Sequence, residues 1–474
     1  MSFRSKFIGD KNFYRNLITL VIPLIVQQGI TNFVSLLDNV MVGRLGTESM
    51  SGVAIVNQLI FVFNLAIFGG VSGASIFGAQ FFGVGDHKGV RNILRFKLVF
   101  GVGATILAIA VFLFWGDPLI SLFLSEGDSG GDLQMTLELA KNYMLVALIG
   151  LFPFMIVQCY SSSLRETGET VTPMIASTIA ILVNLVFNYL LIFGTFGFPR
   201  LGVVGAAIAT VLARFVECFY IVISTHRHQE RFIFIRQIYR HFHIPGDMAK
   251  KVSITAAPLL INEALWSVGM TIINQSYSTR GLTVVAATNI NSTVWNLFSI
   301  IMMAMGNAVA ILVGQQLGAG DMKKAKDTDN KLIFATVVLH LGIGALIILC
   351  APFIPMIYNT EQAVKDLTTN LLFVAGLSLP ISSFVHVTYF TMRSGGKTFI
   401  TFLFDCVYTW IIPLPIAFFL CRYTAMPVIG IYACVQFSDI IKAIVGFLML
   451  RSGIWMKNII GETKETRTAV SSGD

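Results

Sequence analysis

Charge is scarce in this sequence. Asp, Glu, Lys and Arg together supply 12% of its 474 residues, where a soluble globular chain carries roughly 25%. So few polar groups cannot cover a water-soluble body of this size, and that class is excluded. Cysteine is sparse too, and its six copies at 159, 218, 350, 406, 421 and 434 show no paired spacing. A disulfide framework and a zinc ribbon are therefore not expected; small interior residues are, all but Cys421 falling within apolar runs. HExxH and a Walker-type phosphate loop are absent, so the chain shows no metalloprotease signature and no nucleotide motor of its own. No cofactor is expected.

What the chain has is long apolar runs. LVFGVGATILAIAVFLFW (98–115) and LIFATVVLHLGIGALIILCAPF (332–353) each approach or exceed the roughly 20 residues that cross a bilayer core. Charge and Gly/Pro clusters divide the sequence into twelve candidate spans. They lie near 16–41, 52–82, 96–115, 137–160, 170–193, 202–224, 252–277, 284–315, 331–351, 367–391, 398–420 and 428–450. Backbone in lipid must satisfy its own hydrogen bonds, so the spans are predicted helices of an all-α polytopic membrane protein. The opening segment lacks a cleavage-site pattern and is not read as a removed signal peptide.

Placing both termini in the cytoplasm puts 25 Lys and Arg residues in inner loops and tails and six outside, at 44, 141, 200, 280, 365 and 422. That imbalance sets the expected orientation. It also accounts for the net charge of +8 through anionic lipid, with no need for nucleic acid. The expected location is the plasma membrane, the inner membrane of a bacterium.

The tetrapeptides GVGD (83–86) and GAGD (318–321) end the second and eighth spans, 235 residues apart. At that offset Pro23 meets Pro258, Asn39 meets Asn274, Gly46 meets Gly281 and Gln80 meets Gln315. A second block follows at an offset of 228, pairing Arg165 with Arg393, Gly168 with Gly396, Thr170 with Thr398 and Gly202 with Gly430. The chain is thus predicted to be two pseudo-symmetric six-helix lobes, 1–225 and 252–451. A cytoplasmic loop at 226–251 joins them and a cytoplasmic tail occupies 452–474. An even span count makes the repeat parallel, with its axis along the membrane normal. A Gly-x-Gly-Asp motif also occurs in intramembrane aspartyl proteases, but their Tyr-Asp partner is missing here. The tetrapeptides read as hinges, with Asp86 and Asp321 capping the helices that follow.

A carboxylate within the bilayer costs at least a few kcal/mol unless it has a partner, a water-filled cavity or a function. Asp38, in SLLDNVMVGRLG, is the first such group. Asn184 and Asn188 in LVNLVFNYLL are four apart and share a helical face. Thr210 lies four after Ala206, on a face small enough for close helix packing. One carboxylate, two amides and a hydroxyl make an oxygen cage for a small hard cation, or a proton site. Glu263, in APLLINEALWSVG, sits mid-span beside Asn262 and near Trp266, as suits a cavity wall that holds a cationic aromatic solute. Asn289, Ser292, Asn296 and Ser299 form a polar stripe, with Asn57 and Asn64 as counterparts in span two. Together they imply an aqueous interior lined by both halves. Arg214–Glu217 and Asp439–Lys442 are expected i,i+3 ion pairs, and Asp405 has no evident partner.

These residues resemble the multidrug and toxic compound extrusion (MATE) family over roughly 15–457. The similarity is carried by the early proline with DNVMVGRLG, the span ends GAQFFGVGD and VGQQLGAGD, LRETGET with MRSGGKT, and LGVVGAAIAT. The resemblance implies twelve helices in two lobes that alternate between outward- and inward-facing forms and export organic compounds against Na⁺ or H⁺. It places the cation site on Asp38, Asn184, Asn188 and Thr210, with Asp38, Asn184 and Asn188 as metal ligands if the ion is Na⁺. It also matches Glu263 to a span-seven glutamate. Where some members carry an aspartate in span ten, this chain has Ser382 or Ser383, which favours a substrate or structural role for Glu263. Small organic substrates, a lipid bilayer and a monomer are the expected partners and state. A flippase for lipid-linked precursors is the alternative; it would want a strongly basic cavity, for which only Arg214 and Lys442 offer themselves. An intramembrane enzyme lacks a complete catalytic set.

Overall fold

A computed structural model describes residues 6–123, 132–240 and 242–461. The end of the expected tail, from 462, and the basic residues Arg4, Lys464 and Arg467 lie outside the described residues.

Twelve helices among the described residues are long and apolar enough to cross a membrane, and no strand occurs there. In chain order they are α1 (Lys11–Gly43), α2 (Thr47–Gly83), α3 (His87–Ser121), α4 (Leu133–Glu166), α5 (Val171–Phe193) and α6 (Gly202–Arg227). Then come α7 (Gly246–Ser278), α8 (Leu282–Gly318), α9 (Met322–Cys350), α10 (Gln362–Ser394), α11 (Thr398–Tyr423) and α12 (Val428–Ser452). Each expected span corresponds to one helix, and several run on into polar sequence. α3 and α9 begin well before their apolar runs because Asp86 and Asp321 cap them. Asp86 Oδ1 accepts from Gly89 N and Asp321 Oδ1 from Lys324 N, both at 2.9 Å. Such caps satisfy a donor that the first turn would leave unpaired.

The repeated glycines mark repeated turns. Gly46 and Gly281 have φ of +119° and +112°, Gly85 and Gly320 of +76° and +80°, and Gly168 and Gly396 of +82° and +72°. A side chain is strained in that region, so glycine persists at both members of each pair.

The chain forms two compact units, one of Ile22–Gly78 with Asp86–Ser253, the other of Met1–Val21, Ala79–Gly85 and Ile254–Asp474. In the first, N-terminal unit, α5 and α6 approach closely at Gly205, where an added Cβ would lie 2.5 Å from the carbonyl oxygen of Leu191. Ala206, Ala207 and Ala209 are buried along the same helix. Lys97, counted above as an inner-loop residue, is instead fully buried within α3. It pairs with Glu166 and donates to Ser162 Oγ at 3.0 Å and Ser163 Oγ at 3.1 Å. The inter-lobe loop also packs against this unit. Phe232, Phe234, Ile235 and Ile238 are buried, and Arg95 donates to the carbonyls of Gln237, Ile238 and Arg240 at 3.0, 2.8 and 2.9 Å.

The C-terminal unit contains the crossing of the two Gly-x-Gly-Asp segments. An added Cβ on Gly83 would lie 1.8 Å from Gln315 O, and one on Gly318 would lie 2.0 Å from Gln80 O. The first glycine of each tetrapeptide thus permits the crossing, and the second, Gly85 or Gly320, makes the turn. Gln80 also ties down the segment after α12. Its Nε2 donates to the carbonyls of Ser394 and Lys457 at 3.0 and 3.2 Å, and its Oε1 accepts from Ile459 N at 2.9 Å. Trp455 and Ile460 bury beside it. Cys421, expected outside a span, lies in α11 and is buried. The helix can run that far because Pro413 starts its last segment with φ already set.

Candidate functional site

In the N-terminal unit three helices bring the expected cation-site residues together. Asp38 comes from the last turns of α1, Asn184 and Asn188 from one face of α5, and Thr210 from α6. Asn188 Nδ2 donates to Asp38 Oδ1 at 2.6 Å. The Asn184 amide satisfies its neighbours when its nitrogen faces the carboxylate. It then donates to Asp38 Oδ1 and Oδ2 at 3.0 and 3.1 Å, and its oxygen accepts from Thr210 Oγ1 at 3.3 Å. Asn184 and Asn188 are buried and Asp38 is half-buried. α4 supplies Tyr143, whose hydroxyl donates to Asn57 Oδ1 at 3.3 Å.

Chemically this is one carboxylate held by rotatable neutral groups. With the carboxylate bare, amide N–H groups stabilise it; turned over, the same amides present oxygens to a cation. The Asn188 oxygen is buried without a hydrogen-bond partner, so an acceptor stands spare beside Asp38. Among the described residues no group of three or more His, Cys, Asp or Glu side chains is placed to hold a metal ion. The Asp38 set itself offers one carboxylate beside neutral amide and hydroxyl oxygens.

In the C-terminal unit Glu263 is half-buried on α7, with Tyr389 Oη donating to its Oε1 at a long 3.5 Å. Trp266, one turn on, is 40% exposed. Asn289 and Asn296 are exposed on α8. In the other unit Asn57 is exposed and Asn64 half-buried on α2.

Two expectations change here. Lys442 pairs with Asp405 of α11 at 2.7 Å rather than with Asp439 three residues before it. Asp439 accepts instead from Ser382 Oγ at 3.2 Å, so the span-ten position with a serine in place of an acid meets a carboxylate from α12. Asp405, read as partnerless, has two partners, Lys442 and the buried Asn262, whose Nδ2 donates to Asp405 Oδ2 at 3.1 Å. A π turn at Leu403–Val407 presents Asp405 to both. Helical spacing favoured the neighbour on the same helix, but a lysine stem reaches across to another helix as easily. Arg214 and Glu217 do pair, at 3.1 Å. Sequence reasoning missed Tyr143, Tyr389 and the Lys97–Glu166 pair; a lysine opening an apolar run was the only trace of the last.

The family profile described as MatE matches residues 23–190 and 258–419. Over 448 residues the chain is 24% identical to a protein of Thermotoga maritima named "Probable multidrug resistance protein NorM", covering 94% of each chain. It is also 24% identical over 428 residues to "Probable multidrug resistance protein YoeA" of Bacillus subtilis, covering 88% of this chain and 89% of that one. Among solved structures, an outward-facing multidrug resistance MATE transporter of the MOP superfamily aligns with a TM-score of 0.82 at 22% identity, over 94% of this chain and 96% of that one. A variant of the Vibrio cholerae MATE transporter VcmN aligns with a TM-score of 0.84 at 16% identity, over 94% and 98%.

Proposed function

This chain belongs to the MatE family of multi-pass efflux transporters, and on that premise we propose that it exports organic cations in exchange for H⁺ or Na⁺. The observation that carries the reading is Asp38, a carboxylate within α1 held by Asn188 at 2.6 Å and by Asn184, next to Thr210. It is the group that can trade a bound proton or Na⁺ for bare charge as the transporter alternates. The ion drives the cycle only if its affinity for Asp38 differs between outward- and inward-facing forms. Arriving from outside, it would favour the form that releases substrate outward, and its departure inside would permit the return.

Glu263 with Trp266, and the amides of Asn57, Asn64, Asn289 and Asn296, are the groups we assign to substrate. Charge and ring stacking would retain an aromatic cation while the amides adapt to its shape. The lobes 1–225 and 252–451 would be the moving bodies of a monomer. Its termini and the 226–251 loop would face the cytoplasm at a bacterial inner membrane. A flippase reading is disfavoured because the two basic residues available to a pyrophosphate, Arg214 and Lys442, are occupied by Glu217 and Asp405.

Proteoliposomes loaded with a cationic dye, or built with a fluorescent pyrophosphate-linked lipid, separate the two. Gradient-driven dye movement without lipid translocation is expected; headgroup-dependent lipid translocation without dye movement would reverse the assignment.

A further inference from the structure

Below the Asp38 cage, the same three helices carry a second set of polar contacts. Gln27 of α1 donates through Nε2 to Ser177 Oγ of α5 at 2.7 Å. Ser177 Oγ donates to Glu217 Oε1 of α6 at 2.6 Å, and Arg214 Nη1 donates to Glu217 Oε2 at 3.1 Å. Arg165 Nη2 closes the chain on Gln27 Oε1 at 3.0 Å. Ser177 and Asn184 are seven residues apart on α5, as are Thr210 and Glu217 on α6, and Gln27 and Asp38 are eleven apart on α1. Seven and eleven residues are about two and three helical turns, so on every helix the two sets share one face.

The other half repeats the lower set and, of the upper one, keeps only a hydroxyl, Ser438 at the position of Thr210. At the offsets of 235 and 228, Gln27 corresponds to Asn262, Ser177 to Asp405 and Arg214 to Lys442. Asp405 joins the other two, accepting from Asn262 Nδ2 at 3.1 Å and from Lys442 Nζ at 2.7 Å. The acid has moved from the sixth helix of one half to the fifth helix of the other, while the three-helix connection is kept. Asp38, Asn184 and Asn188 correspond to Ile273, Ile412 and Ile416, and Ile416 packs in the apolar cluster around buried Ile273.

We infer that Gln27, Ser177, Arg214 and Glu217 are positioning residues that fix the register of α1, α5 and α6 and thereby assemble the Asp38 site. The matching contacts of Asn262, Asp405 and Lys442 fix the same register in the other half, where isoleucines stand at the positions of Asp38, Asn184 and Asn188. Asp405 is on this account a permanent partner of Lys442 and carries no coupling ion.

The inference rests on the proposed role of Asp38, and its test reads cation binding in purified protein rather than transport. The measurement is thermal stabilisation by Na⁺ at fixed pH, and by acid in Na⁺-free buffer, taken as the half-point of the response and not as basal stability. Arg214 of α6 and Tyr143 of α4 are the charged and titratable groups facing Asp38 and stay unchanged in these variants. Asp38→Asn must abolish the response; a response that survives it removes the proposed function. With that control silent, Glu217→Gln should shift the half-point by about tenfold or more, the scale on which partners outside the ligand shell act. Ser177→Asp combined with Glu217→Gln places the acid where the other half has it, and should recover most of the shift. An unshifted half-point in folded Glu217→Gln, or no recovery in the folded double variant, overturns the inference. Should either variant fail to fold, Ser177→Ala cuts α5 from an intact Arg214–Glu217 pair and must itself move the half-point; no movement there overturns the inference equally.

Discussion

Asp38 and Lys97 show two ways of keeping a charge inside a membrane protein. Lys97 is fully buried against Glu166 and two serine hydroxyls, a closed arrangement that nothing needs to enter. Removing one partner of such a pair strands the other, at about 3–5 kcal/mol. Glu166→Ala is therefore expected to lower the melting temperature in detergent sharply, whereas Asp117→Ala, which breaks an exposed pair with Lys141, should leave it nearly unchanged. Equal melting temperatures would contradict the burial argument. Asp38 is held by amides that can rotate, so the loss of one should be partly made good by water. Asn188→Ala is expected to raise the ion concentration needed for export several-fold without abolishing export, as initial rates against a graded ion gradient would reveal. The Asp38 cluster was legible in the sequence because its members are isolated polar residues in apolar runs, two of them at helical spacing. Lys97 and Asp405 were not, because their partners lie on other helices and no local spacing encodes them.

At the scale of the element, the duplicated tetrapeptide separates into three jobs. The first glycine, Gly83 or Gly318, lets two helix ends cross, the second turns the backbone, and the aspartate caps the next helix. Asparagine caps about as well as aspartate, so Asp86→Asn and Asp321→Asn should keep substantial transport. Gly318→Val, which drives a side chain into the backbone of Gln80, should not. Complete loss of dye efflux in well-inserted Asp86→Asn protein would contradict the capping role. The spans themselves were legible from hydropathy alone. Their polar ends were not, since a capped first turn in water leaves no apolar signal. The π turn that presents Asp405 was also hidden, because no residue type demands it.

For the whole molecule, the basic imbalance and the twelve helices predict an orientation. Thr360, between α9 and α10, belongs outside, and Glu230, after α6, belongs in the cytoplasm. In a variant without Cys350 and Cys434, an impermeant thiol reagent applied to intact cells should label Thr360→Cys and spare Glu230→Cys; the reverse pattern would invert the topology. The repeat was legible at whole-chain scale because three pairs of turns keep glycine at positive φ, Gly46 with Gly281, Gly85 with Gly320 and Gly168 with Gly396. What it hid is that the halves differ in chemistry, a carboxylate held by two amides in one and isoleucines at the same positions in the other.

That difference makes Asp38 the residue on which the account stands. The most direct measurement is uphill dye export in proteoliposomes carrying either a pH gradient or a Na⁺ gradient, for the unaltered protein and for Asp38→Asn. Asparagine keeps the size and hydrogen bonding of the side chain and removes only the exchangeable charge. Export driven by one of the two gradients in the unaltered protein, and by neither in Asp38→Asn at equal insertion, is the predicted result. Near-normal uphill export by Asp38→Asn would contradict it and move the coupling site to Glu263.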